Sequence, residues 1–245
     1  VVAARTVASG EETVRLIATA GGEAIFVRTD VGREEECVAL VAETVRRFGR
    51  LDVLVNNAAV PQPQRILEIT EAEWDAGMAV NLKGYFNWSQ AAAPAMLERA
   101  FNAEPKDFEM AYNIGECYRI PSLDGGDNYA ELAQKAVSWF DRAEQLNRFD
   151  ASSILRHGMC LDWLGRHDEA WKYFDRAEEL DPNGYYTVAH IGWHFVQIGD
   201  YAAARPWFER SLKLEWKDNP IAVNYLAICN RRLLEAANDD SPARF

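Results

Sequence analysis

Apolar positions change their rhythm partway along the chain. In the first hundred residues, short apolar runs alternate with stretches of helical spacing. VVAAR (1–5) is a brief apolar run, followed by a helical pattern over residues 10–20 that Gly21-Gly22 ends. AIFVRTDV (24–31) reads as a buried strand. From Glu34 to Phe48, apolar residues including Cys37, Val41, Val45 and Phe48 recur at helical spacing, and Gly49 stops the pattern. LDVLVNNAA (51–59) predicts a third strand. Thr70 is placed to cap a helix beginning EAEW, and a longer helix is expected from about Val80 to Leu97. Strands alternating with helices predict a parallel sheet with helices on both faces.

Beyond a boundary near residues 99–105 the pattern is helical throughout and repeats every 34 positions. Ala136, Ala170 and Ala204 keep that interval, as do Phe140, Phe174 and Phe208. Trp139, Tyr173 and Trp207, then Leu146, Leu180 and Leu214, follow it too, and Gly158 and Gly192 share it. Such a period predicts stacked helical hairpins, in which small residues let paired helices approach and aromatics fill the space between hairpins. The expected helices span 106–119 and 129–147, joined by the long insert RIPSLDGGDN, then 151–164, 167–180, 185–198 and 201–214. A last helix at 220–236 would cap the stack, because its final apolar face needs a cover. Residues 237–245 are expected to be a frayed tail.

Composition sharpens the seam. Only six of the 28 aromatic residues lie in the first hundred positions, so the two parts are built on different principles. The net charge is -12 over 245 residues, which disfavours binding to nucleic-acid backbones. Neither part hides a basic domain. No apolar run approaches the ~18 residues of a membrane span, and no signal-peptide pattern is visible, so a cytoplasmic protein is expected. Without an initiator Met, the chain is open to being part of a longer sequence. The cysteines Cys37, Cys117, Cys160 and Cys229 form no CxxC pair and read as small buried hydrophobes. Glu34-Glu35-Glu36 reads as a helix start that complements the macrodipole. His190 and His194, four apart on one predicted helix, have a spacing that can hold a metal. With no HExxH pattern and no obvious third ligand, they read as packing histidines, and no metal is assigned.

RTDV (28–31), LDVLVNNAA (51–59) and EITEAEWDAGMAVNLKGYF (68–86) together resemble the short-chain dehydrogenase/reductase family over about residues 1–98. That resemblance implies a Rossmann-like fold and an NAD(P) site. It places Asp30 against the adenine ring and Asn56, Asn57, Ala58 and Ala59 along the cofactor cleft, with Ala59 standing where the family has Gly. It assigns Asn81 to the catalytic set and Arg5 to a place that often marks a preference for the 2′-phosphate of NADP. The family's glycine-rich TGxxxGxG turn has no counterpart in this sequence. None of the nine tyrosines is followed four positions later by Lys, and the catalytic Ser is also missing. Asp30 and Asn81 therefore read as relics that cap strands and helices, and no functional cofactor is expected. In this family's strand order, the absent first strand lies between the strands at 1–5 and 51–59. An incomplete α/β unit is expected, with strand edges open to self-association.

Residues 105–236 resemble the tetratricopeptide repeat family, most closely in LGRHDEAWKYFDRAEELDP (164–182). The resemblance implies a groove for a protein or peptide, lined by the first helix of each hairpin. By repeat position it assigns Leu155, Met159, Asp162 and Trp163 to the groove, with Tyr186, Ala189, Trp193, Val196 and Gln197 from the next repeat. No basic clamp for a terminal carboxylate is evident at these places. The first reading is an interaction protein carrying a catalytically incomplete dehydrogenase-like fragment. The rival is an NAD(P)-dependent oxidoreductase, truncated or completed by another chain.

Overall fold

A computed structural model describes residues 1–61 and 64–239 of the chain, which divides into one unit over residues 1–105 and a second from residue 106 onward. The first unit is an incomplete α/β unit. Strand β1 (Val2–Ala4) pairs in parallel with β2 (Phe26–Arg28), Val2 lying opposite Phe26 and Ala4 opposite Arg28. Helix α1 (Val7–Thr19) connects them. Gly10 lets this helix lie against the sheet: a Cβ there would sit 2.1 Å from the Phe26 ring. Helix α1 ends at Gly21, whose φ is +83°. Helix α2 (Glu34–Phe48) carries three glutamates in its first turn and ends on Gly49 in the left-handed conformation. Helix α3 (Glu71–Met78) starts with a capping box between Thr70 and Glu73 and runs through a π-helical turn (Ala79–Lys83) into α4 (Gly84–Ala103). The expectation of a separate helix at 80–97 is thus corrected to a single helical run with a widened turn. Val31, Cys37, Leu40, Val41, Val80, Trp88 and Ala92 form the core of this unit.

The third strand predicted at 51–59 does not form. A strand needs a neighbouring backbone to satisfy its amides, and among the described residues none pairs with this segment. β1 and β2 are adjacent in the family's order and find each other. In that order the 51–59 segment is separated from β1 by one further strand, its pairing partner, and no such strand is present among the described residues. Leu51, Leu54 and Val60 still pack on the core, whereas Val53 and Val55 stand 71% and 76% exposed. β2 itself is shorter than the predicted 24–31 run, because Asp30 begins a turn in which the Arg33 amide donates to the Asp30 carbonyl at 3.0 Å.

The second unit is a solenoid of helical hairpins: α5 (Phe108–Ser122) with α6 (Tyr129–Leu146), α7 (Ala151–Trp163) with α8 (His167–Leu180), and α9 (Tyr185–Gln197) with α10 (Tyr201–Leu214). α11 (Pro220–Asp239) packs on α10 and α9. Asp107, Asp150 and Asp200 cap the helices that follow them, each accepting from the amide three residues on. The periodic residues do what their spacing requires. Ala136, Ala170 and Ala204 and the three phenylalanines Phe140, Phe174 and Phe208 are all fully buried. Gly192 makes room for one of them, since a Cβ there would lie 2.9 Å from the Phe208 ring. The predicted insert at 119–128 is shorter than expected. α5 continues through Pro121 to Ser122, whose hydroxyl donates to the Arg119 carbonyl at 2.6 Å. Residues 237–239, expected in the frayed tail, continue α11, and 240–245 lie outside the described residues. No helix among the described residues is long and apolar enough to cross a membrane.

Candidate functional site

In each unit a cavity gathers residues singled out in the sequence. In the repeat unit, a cavity of 300 Å³ lies among α5, α7, α9 and α11. Helical spacing places Met159 and Trp163 on one face of α7 and Trp193 and Gln197 on one face of α9, so four of the predicted groove residues meet on its wall. The Trp163 indole is held in place by donating to the Ser122 carbonyl at 2.9 Å and by an edge contact with Tyr129. His190 adds a ring to the wall. It donates from Nδ1 to the Tyr186 carbonyl at 2.8 Å. Burial, with Arg156 and Arg119 nearby, holds its pKa down at about 4, so it presents a neutral imidazole.

The other predicted groove residues are placed elsewhere. Leu155 is 2% exposed within the hydrophobic core, and Ala189 is fully buried. Val196 packs against the cluster around Phe208. Asp162 is buried and turns to His194 and His167. Tyr186 is engaged by Arg156, whose guanidinium lies 4.6 Å from the ring centroid and bonds to the phenol. Sequence reasoning did not assign the other wall residues to the groove, His190 and Cys160 among them. Ile221 and Tyr225 come from α11, which repeat logic treats as a mere cover, and Arg119 comes from the stretch read as the insert. Arg119 is not a free clamp, because its guanidinium forks onto Glu116 at 2.6 and 2.7 Å.

In the α/β unit, Arg5, Arg28, Thr29, Asp30, Arg33 and Glu36 surround a cavity of 410 Å³. Arg5 and Asp30, two of the residues assigned to the cofactor, thus share a wall. Asp30 is held in a tight turn: its Oδ1 accepts from the Gly32 amide at 3.0 Å, and its own amide donates to Glu36 at 2.6 Å. Asn57 and Ala58 lie on the unpaired 51–59 segment, exposed and away from this wall. Asn81 sits in the π-helical turn and spends both its polar atoms on one backbone unit. Its Oδ1 accepts from the Val60 amide at 2.7 Å, and its Nδ2 donates to the Val60 carbonyl at 2.9 Å. Asn56 Oδ1, by contrast, is buried without a hydrogen-bond partner.

The thiols are poor nucleophiles. Burial pushes Cys160 up to about 12 and Cys37 up to about 11, the latter with help from nearby carboxylates, and it raises Cys117 and Cys229 as well.

Residues 1–102 match the family described as short chain dehydrogenase, and residues 151–183 match the tetratricopeptide repeat. An uncharacterized oxidoreductase of Thermotoga maritima is 47% identical over 87 residues, covering 36% of this chain and 34% of that protein. A 3-oxoacyl-(acyl-carrier-protein) reductase of Staphylococcus aureus is 38% identical over 93 residues, covering 38% of each. Among solved structures, a metagenomic short-chain oxidoreductase in complex with NADP is 38% identical over 40% of this chain and 44% of that one, with a TM-score of 0.37. The chain therefore spans little more than a third of the length of these curated relatives. The N-terminal part resembles the dehydrogenase family incompletely, and the C-terminal part resembles the repeat family.

Proposed function

We propose that the chain is a protein-interaction module that takes an apolar or aromatic side chain of a partner peptide into the cavity of its repeat unit. The observation that carries this reading is the convergence of Met159, Trp163, Trp193 and Tyr225 on one 300 Å³ space. Partner pockets dominated by aromatic anchors concentrate binding energy in a few residues. With Arg119 tied to Glu116 and His190 neutral, the wall offers no free cation among the described residues, which favours an uncharged anchor over a terminal carboxylate. The test is a peptide library selected on the whole chain, with the recovered peptides titrated against wild type and Trp193→Ala. Binding at least about 30-fold weaker in the variant is expected for a central aromatic. Equal affinity would remove the cavity from the function.

The shared wall of Arg5, Arg28, Asp30 and Arg33 favours a second reading, in which the α/β unit binds the phosphorylated ribose of a nicotinamide dinucleotide. Three guanidiniums suit a phosphate, and the curated relatives carry the names oxidoreductase and reductase. No tyrosine of the chain has a lysine four positions on. Turnover would therefore need a proton donor from elsewhere. NADPH that raises the melting temperature of wild type but not of Arg5→Ala would support this reading. No shift at millimolar NADPH would sink it.

A further inference from the structure

We propose that Asp162, His167 and His194 bind one zinc ion that ties three successive helices of the repeat unit together. The three residues come from different helices: Asp162 from the last turn of α7, His167 from the first position of α8 and His194 from α9. The chain reversal between α7 and α8 brings the first two together. Gly165 adopts a φ of +73°, and the Arg166 amide donates back to the Leu161 carbonyl at 2.9 Å. His167 Nδ1 then lies 2.9 Å from Asp162 Oδ1, and His194 Nδ1 lies 2.9 Å from both carboxylate oxygens. All three donor atoms fall within 4.8 Å of one another.

Two imidazole nitrogens and a carboxylate form a donor set suited to zinc. Bonds of about 2.0–2.1 Å in tetrahedral geometry put neighbouring donors about 3.3 Å apart. The present 2.9 Å contacts need to open by only about 0.4 Å to admit the ion. The carboxylate is fully buried and His194 nearly so, while His167 is one-third exposed, which leaves an entry path and room for water as a fourth ligand. The His194 ring is already held between Trp171 and Phe174, with centroids at 5.5 and 5.1 Å.

Repeat packing does not demand these residues. Thirty-four positions on, their places are taken by Val196, Tyr201 and Ile228, and 34 positions back by Asn128, Ala133 and Cys160. The neighbouring junctions thus assemble without any such cluster. A buried carboxylate is costly unless its charge is matched, and among the described residues the recorded partners of Asp162 are these two imidazoles alone. A divalent cation held by all three side chains matches that charge. The site is independent of the partner cavity, since none of its three donors lines that space.

The experiment strips the intact chain with a chelator and titrates it with zinc by calorimetry, then with cobalt(II) by visible absorption, following the melting temperature throughout. One saturable equivalent of zinc, a higher melting temperature, and a cobalt spectrum without a thiolate charge-transfer band are expected. His167→Ala, whose side chain is the most exposed of the three, should fold and bind zinc at least about 10-fold more weakly. If that variant proves unfolded by circular dichroism, Asp162→Asn takes its place with the same expectation. A melting temperature unchanged by zinc, a thiolate band, or equal affinity in the variants would overturn the proposal and leave the cluster as a hydrogen-bond network.

Discussion

His190 and His194 share a helix and a four-residue spacing, yet the structure gives them different neighbours. His194 turns to Asp162, while His190 bonds to the backbone of its own helix beside Tyr186 and faces the cavity. Burial of His190 makes a testable statement about pH. Its pKa of about 4 in the folded chain lies below the ordinary 6.5. Between those two values the unfolded chain holds a proton that the folded chain lacks, so this residue lowers stability as pH falls from 6.5 toward 4. The slope is about 1.4 kcal/mol per pH unit. Between pH 7 and pH 5 wild type should therefore lose roughly 2 kcal/mol of unfolding free energy relative to His190→Gln. Denaturant melts at the two pH values measure it. A gap that does not change between them would mean that His190 takes up its proton in the folded state.

At the scale of elements, the two units were legible in the sequence to different degrees, for a physical reason. A repeat helix is defined by contacts with its nearest neighbours in sequence, so the 34-residue period of Ala136, Phe140 and their counterparts already specified which face of each helix is buried. The helix boundaries followed within a few residues. The α/β unit depends on pairing between distant strands, which no local pattern reports. The apolar run at 51–59 has the same composition whether or not a partner strand lies beside it, and it stayed unpaired. The site was half legible for the same reason. Met159, Trp163, Trp193 and Gln197 obey the repeat register and reached the cavity wall. Leu155 and Asp162 share that helix with two of them but sit at positions turned inward, where side-chain contacts rather than register decide the role. Tyr225 on α11 and Arg119 near the end of α5 lay outside the register and carried no signal that spacing could read.

For the whole molecule, the contrast between the two units should be visible in amide hydrogen exchange. In the repeat unit, the helices around Phe140, Phe174 and Phe208 carry regular backbone bonds over a fully buried core, and their amides should be among the slowest to exchange. In the α/β unit, residues 51–59 have almost no backbone partner among the described residues: one bond within them runs from the Asn57 amide to the Val55 carbonyl at 3.1 Å. These amides should exchange close to the rate of an unstructured chain. Val60, directly after this segment, differs, because Asn81 accepts from its amide and donates to its carbonyl. Asn81→Ala should therefore abolish the protection of Val60 while leaving the repeat helices unchanged. That outcome would fix the role of Asn81 as an anchor for the unpaired segment. Slow exchange across 51–59 that strengthens with protein concentration would contradict this picture. It would mean that a strand from a second copy has filled the gap beside a segment whose Val53 and Val55 otherwise face water.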